Sequence, residues 1–354
     1  MKIAPLCEEL RRYSKEFSPI VVHTGQHYDK KMSSVFFKDL EMPPPDHFLQ
    51  AETNGTVSQM GDIIAKFDQV LKYERPALVV VVGDVLSTLA TAMAASSCDI
   101  PLAHVEAGLR CGDRRLPEER YRVATDAVAD LLFTYSEDAD SNLIAENVPA
   151  RCIHRVGNLM IDSLRKLQPK AEKSKILADL GLVEKKYGVV TLHRQSNVND
   201  SVTLERILHA LIQIQERLPL VFPAHPRTYN NIERFGLGRM LEGVSNMQLI
   251  EPLGYIDMLK LLSSSAIALV DSGGIQEETT VLGIPCLTLR EHTERPITVT
   301  QGTNKLTGIA TRSIVDAAKQ VLDGNVPQGV IPDLWDGYSA QRLVERLRGP
   351  IIRR

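Results

Sequence analysis

Ten short apolar runs, separated by stretches of helical pattern, constrain this chain more than anything else in it. They are PIVVHTG (19–25), ALVVVVGD (77–84), IPLAHVEA (100–107), ADLLFTYS (129–136), RCIHRVGN (151–158), YGVVTLH (187–193), PLVFPAH (219–225), MQLIEP (247–252), AIALVDS (266–272) and IPCLTLR (284–290). Consecutive rather than alternate positions are apolar, which fits parallel strands covered on both faces. Intervening segments such as SVTLERILHALIQIQERL (201–218) repeat apolar residues at intervals of three and four. The alternation implies βαβ units, hence an α/β protein built on doubly wound parallel sheets.

A chain of 354 residues exceeds one ordinary core, so two domains are expected. Residues 163–186, SLRKLQPKAEKSKILADLGLVEKK, are charged, contain Pro169 and lack strand character. They mark the passage between a first Rossmann-like domain, 1–165, and a second, 166–337, which face each other across a cleft. The opening MKIAPLCEELRRYSKEF is already an amphipathic helix with no strand before it, whereas doubly wound domains open on a strand. The first domain is therefore expected to lack its first strand, with Met1 an internal methionine of a longer reading frame.

Composition narrows the class. Hydrophobic and charged contents of 44% and 24% are those of a soluble globular protein, and a formal charge of -3 argues against nucleic-acid binding. No apolar run reaches the ~20 residues of a membrane span. Five scattered cysteines without CxxC spacing point to a cytoplasmic location and to no structural zinc.

Ligands of open α/β sheets bind beyond the carboxyl ends of the strands. Asp84, Glu106, His193, His225 and Asp271 all close such runs. In VDSGGIQEET (270–279) a strand runs into Ser272-Gly273-Gly274 and then a helix. The glycines admit a ligand to the backbone and the helix start offers free N–H groups, a setting for phosphate or diphosphate. No Gly-Lys-Ser/Thr follows, so it is not a Walker loop, and it does not fit GxGxxG. Glu277 and Glu278 either favour the helix dipole or reach ribose hydroxyls. Arg295 and Lys2 are candidate cations for the diphosphate, or surface charge. The charges of AHVEAGLRCGDRRLPEERYR (103–122) are either a solvated loop or working groups.

The ordered set Gly83-Asp84, HVEAGLR (104–110), PEE (117–119), GN..ID (157–162), LHR (192–194), HP (225–226), EPLGY (251–255), DSGGIQEE (271–278) and TERP…GTNKL (293–306) resembles the non-hydrolysing UDP-N-acetylglucosamine 2-epimerase family over nearly the whole chain. The resemblance implies a glycosyltransferase-B-like fold, with a C-terminal helix (338–354) returning to the first domain. It implies a homodimer and interconversion of UDP-GlcNAc and UDP-ManNAc. UDP would be eliminated to leave 2-acetamidoglucal and then added back, with no cofactor, hydride acceptor or metal. Acid/base carboxyl groups would come from Asp84, Glu106 and Glu118, joined by His193. Nucleotide contacts would fall to Lys2, Ser272, Gly273, Gly274, Glu278 and Arg295. A second UDP-GlcNAc would bind as activator at Gln26, His27 and His225.

The chain departs from the family at Val85 (usually threonine), Tyr121 (asparagine), Ser196 (glutamate) and Leu159 (threonine). It also lacks the opening strand and its Gly-Thr-Arg-Pro-Glu loop. The carboxylate set is intact while the sugar stays open. Alternatives are a 2-epimerase of another UDP-2-acetamido sugar such as a diacetamido uronic acid, a glycosyltransferase of the same fold, a hydrolysing epimerase, and a non-catalytic nucleotide-sugar binder.

Overall fold

The computed structural model describes residues 1–25, 39–52, 55–326 and 328–350. Gln26 and His27 lie outside them. The chain divides into two compact units: Met1–Ser163 with Asp333–Arg354, and Leu164–Pro332. The division falls within the helix Leu159–Ala171. Among the described residues no helix is long and apolar enough to cross a membrane.

The first unit is organised by a four-stranded sheet in the order β3 (Val79–Val82), β4 (Leu102–Val105), β5 (Leu131–Thr134), β6 (Ile153–Arg155), with every pairing parallel. Successive side chains of a strand face opposite ways, and here both directions are covered. Leu102 and Leu132 pack with Phe67, Leu71 and Ala95. Ala103, Val105, Leu131 and Phe133 pack with Leu6 of the first helix, Ile3–Arg12, and with Leu343, Val344 and Leu347 of the helix Ser339–Leu347. Two-sided burial is why β3 is apolar throughout and β4 and β5 are apolar except at His104 and Thr134, whereas the half-buried β6 reads Ile-His-Arg. Truncating a fully enclosed ring such as Phe133, 1% exposed, to alanine costs about 3–5 kcal/mol. The end of the chain is tied back by buried Trp335, whose Nε1 donates to the Tyr135 carbonyl at 2.9 Å. Asp162 accepts from Ser339 N and Ala340 N (3.2 and 2.7 Å), satisfying the opening of the last helix from a distant part of the chain.

The earliest apolar run behaves differently. Only Val22–His23 of PIVVHTG is a strand, β1, and it pairs with β2 (His47–Phe48) in a separate two-stranded ribbon.

The second unit holds a six-stranded parallel sheet in the order β12 (Asn304–Leu306), β11 (Cys286–Thr288), β10 (Ile267–Val270), β7 (Gly188–Thr191), β8 (Leu220–Pro223), β9 (Met247–Ile250). One face is covered by the helices Ser201–Ile214 and Thr311–Leu322 through Leu204, Ile207, Leu211, Ile314 and Ala318. Leu261 and Leu262 cover the other. The chain runs outward from β7 through β8 and β9, then returns to lay β10 on the opposite side of β7. The strand order therefore reverses between β7 and β10, where open α/β sheets form their ligand crevice.

Candidate active site

In the first unit, the residues just past β3 and β4 bring acidic groups to one rim. Gly83 follows β3 at φ 78°, its N–H donating to Val105 O at 3.0 Å. Asp84 comes next, and its carboxylate pairs with Arg122. Glu106 follows β4 at φ 68°, a left-handed conformation costly for a residue with a side chain and concentrated at functional positions. Its carboxylate is buried against Lys2. A Cβ on Gly83 would stand 3.3 Å from Glu106 Oε2, so the bare glycine backbone forms the wall beside that carboxylate.

The helix Pro117–Val128 supplies the third acid in an unexpected way. Glu118 is exposed, with no hydrogen-bond partner among the described residues, while Glu119 is 3% exposed. Glu119 accepts from Gly112 N (3.0 Å) and Cys111 N (3.1 and 3.2 Å) and pairs with Arg122. One buried guanidinium thus joins Glu119 to Asp84. Both lie in the charged stretch 103–122 that the sequence singles out, but neither was assigned to the site.

His104 and Asp126 were also missed. His104 Nδ1 lies 2.6 Å from Asp126 Oδ1 and Nε2 lies 2.8 Å from Gly83 O, with both side chains buried. Asp126 accepts as well from Gly108 N (3.0 Å) and meets Arg110 at 2.8 Å. Burial pushes the Asp126 carboxyl up, but the charges and hydrogen bonds of His104 and Arg110, with the Gly108 N–H, hold it below the ordinary carboxylate range.

The second unit builds its site at the reversal point. Asp271 follows β10 and is wholly buried. It accepts from His193 N (3.1 Å), Arg194 N (3.0 Å) and Asn197 Nδ2 (3.3 Å), and meets His193 Nδ1 at 3.0 Å. The His193 ring is half exposed, and a wholly buried carboxylate sets its orientation. His225 heads the helix Pro226–Arg234, its Nδ1 accepting from Arg227 N at 3.2 Å. Burial, followed by the charges of His193 and Arg227, lowers its pKa.

Ser272 leads into the helix Gly273–Leu282 without capping it by its side chain, so the first N–H groups have no intrahelical partner. Arg295 crosses directly over Gly273: a Cβ there would meet Arg295 Cζ at 2.6 Å. Arg295 is buried, donating to Glu277 Oε1 (2.6 Å) and pairing with Glu294. Glu294 also takes Arg194 (2.9 Å) and Arg290 (2.8 Å). Burial would raise the Glu294 carboxyl, but these three guanidinium groups hold it well below the ordinary range. Arg290 Nη1 is buried with no partner among the described residues. Glu278, on the same helix, is buried and accepts from Tyr255 Oη at 2.8 Å. Burial lifts its pKa to about 7, the Tyr255 bond offsetting part of the rise and the Glu277 charge adding to it.

Residues 8–348 match the family described as UDP-N-acetylglucosamine 2-epimerase. The chain belongs to that family. It is 41% identical to a UDP-N-acetylglucosamine 2-epimerase homolog of Methanococcus maripaludis, with 98% of this chain and 96% of that one covered. It is 42% identical to the UDP-2,3-diacetamido-2,3-dideoxy-D-glucuronate 2-epimerase of Pseudomonas aeruginosa, with 93% and 91% covered. Among solved structures it superposes with a TM-score of 0.89 on the Methanocaldococcus jannaschii UDP-GlcNAc 2-epimerase in complex with UDP-GlcNAc and UDP, at 35% identity and coverage of 98% and 96%. The 2-epimerase structures are glycosyltransferase-B-like, and the two parallel sheets found here are theirs.

Proposed function

We propose that this 2-epimerase family member interconverts UDP-GlcNAc and UDP-ManNAc without net hydrolysis. One of Asp84, Glu106 and Glu118 removes the C2 proton. The C–H electrons form the C1=C2 bond of 2-acetamidoglucal as the C1–O bond breaks and UDP departs with that electron pair. Return of UDP to C1, with a proton delivered to the other face of C2 by a second acid, inverts the centre. The helix start at Ser272-Gly273-Gly274 receives the diphosphate, Arg295 and Lys2 pair with its charge, Lys2 from its place beside Glu106, His193 contacts it, and Glu278 takes ribose hydroxyls. Buried Arg290 Nη1 is a further donor suited to an anion at that end of the sheet.

The observation that carries this reading is the pair of acids just past the carboxyl ends of adjacent strands, Asp84 against Arg122 and Glu106 against Lys2, in a family of C2 epimerases. Proton NMR with UDP-GlcNAc in D2O tests it. A manno product deuterated at C2, with little free UDP, is the expected result; stoichiometric free UDP and N-acetylmannosamine overturn it in favour of hydrolysis.

A second reading is supported by the 42% identity to the diacetamido-glucuronate enzyme together with Val85, Tyr121, Ser196 and Leu159. In it the same carboxylates act on a UDP-2-acetamido uronic acid. Parallel assays on that sugar decide between them by kcat/KM.

A further inference from the structure

Two groups outside the set assigned to chemistry tie the acidic rim together. His104 is the third residue of β4, opposite Val81 of β3, with Glu106 two residues further on. It is wholly buried, and its two ring nitrogens reach in opposite directions. Nε2 lies 2.8 Å from the carbonyl of Gly83; Nδ1 lies 2.6 Å from Asp126, whose second oxygen takes Gly108 N at 3.0 Å. A carbonyl can only accept, so Nε2 must carry a hydrogen.

The bond to Gly83 O has a particular consequence. Gly83 O and Asp84 N belong to one planar peptide, and glycine is the residue least able to hold such a plane by its own sterics. The Gly83 amide is already fixed to Val105 O. Fixing its carbonyl as well sets the rotation of the peptide from which Asp84 departs. Glu106 is bracketed by the same device: Gly83 stands against its carboxylate on one side, and Gly108, gripped by Asp126, follows it two residues on.

We propose that His104, braced by Asp126, is a positioning residue that fixes the Gly83–Asp84 peptide and the Glu106 turn, setting the geometry of the two carboxylates for C2 proton transfer. This rests on the 2-epimerase reading above. Misplacing a reacting group by about 1 Å costs ~100-fold in rate, so the effect is expected in kcat rather than in nucleotide binding.

Two substitutions separate the two bonds. In H104Q the amide nitrogen falls near the position of Nε2 and keeps the bond to Gly83 O. In H104N it falls near Nδ1 and keeps only Asp126. Expected is a kcat loss of ~100-fold in H104N, a much smaller loss in H104Q, and unchanged affinity for UDP by calorimetry in both. Equal losses, or losses that track thermal stability and UDP affinity, overturn the inference and leave His104 a core residue. Wild type is assayed alongside on both UDP-sugars. If it turns over neither, the functional reading fails on its own, and crystal structures of the two variants decide the positioning claim. The Gly83–Asp84 peptide is expected to rotate in H104N and to hold its plane in H104Q; an unmoved peptide in both overturns it.

Discussion

His193 and Asp271 are 78 residues apart in the chain, yet the Asp271 carboxylate accepts the His193 backbone N–H at 3.1 Å and meets its Nδ1 at 3.0 Å. Their meeting follows from strand order, because β10 lies beside β7 and each ends one or two residues before its functional group. Replacing Asp271 with asparagine presents an NH2 group where three N–H donors now converge. Asp271→Asn is therefore expected to lower kcat by ~10²–10⁴-fold and to cost about 1–3 kcal/mol for the unsatisfied buried donor. Steady-state kinetics and urea unfolding measure the two effects.

Adjacent glutamates on one helix are expected to behave oppositely. Glu119 is buried beneath Arg122 and two backbone N–H groups. Removing its charge leaves Arg122 under-compensated, at about 3–5 kcal/mol for breaking such a buried pair. Glu118 is exposed, so Glu118→Gln should leave the urea midpoint unmoved while reducing kcat. A Glu118→Gln variant of full activity would remove Glu118 from the reaction and leave Asp84 and Glu106 to share it.

Glu278 makes stability depend on pH. Its folded pKa, about 7, lies above the ordinary carboxylate value of 4.5, so between these limits the native state binds more protons than the unfolded chain. The stability it contributes is complete below pH 4.5, falls as pH rises, and is lost above about 7. Glu278→Gln keeps an acceptor for Tyr255 and carries no charge, so unfolding free energy plotted from pH 4.5 to 7.5 should lose that downward slope. An unchanged slope would assign it to other groups. If Glu278 also takes ribose hydroxyls, UDP affinity falls in the same variant.

Two glycine-to-alanine changes should have opposite signs. At Gly273 the new methyl meets the Arg295 guanidinium, which is buried and held by Glu277 and Glu294. Gly273→Ala is expected to weaken UDP binding tenfold or more, corresponding to ~1.4 kcal/mol, measured by titration calorimetry. Gly61 lies inside the helix Thr56–Glu74 with nothing within 4 Å of an added Cβ. Gly61→Ala should stabilise the protein by about 0.5–1 kcal/mol.

The α/β class, and every strand of the two large sheets but one edge strand, can be read from the amino-acid string alone. In those sheets, burial on two faces forces apolar residues at consecutive positions, as in the all-buried β4, β5, β8 and β10. The string also determined the family, because motifs at strand ends keep their order whatever the loops do. It passed over β12, whose Asn304-Lys305-Leu306 is an edge strand with one side unpaired, and β2, two residues long. Which charges work together was settled by packing instead. Glu118 and Glu119 are equivalent as letters, yet a helix turns about 100° between them, and packing sends one to solvent and the other under Arg122. Likewise, no local pattern announces that His104 will hold Gly83 or that Asp271 will hold His193. Hydrogen bonds between strand ends depend on which strands become neighbours, and sheet order is fixed by the packing of the whole unit rather than by any segment of it.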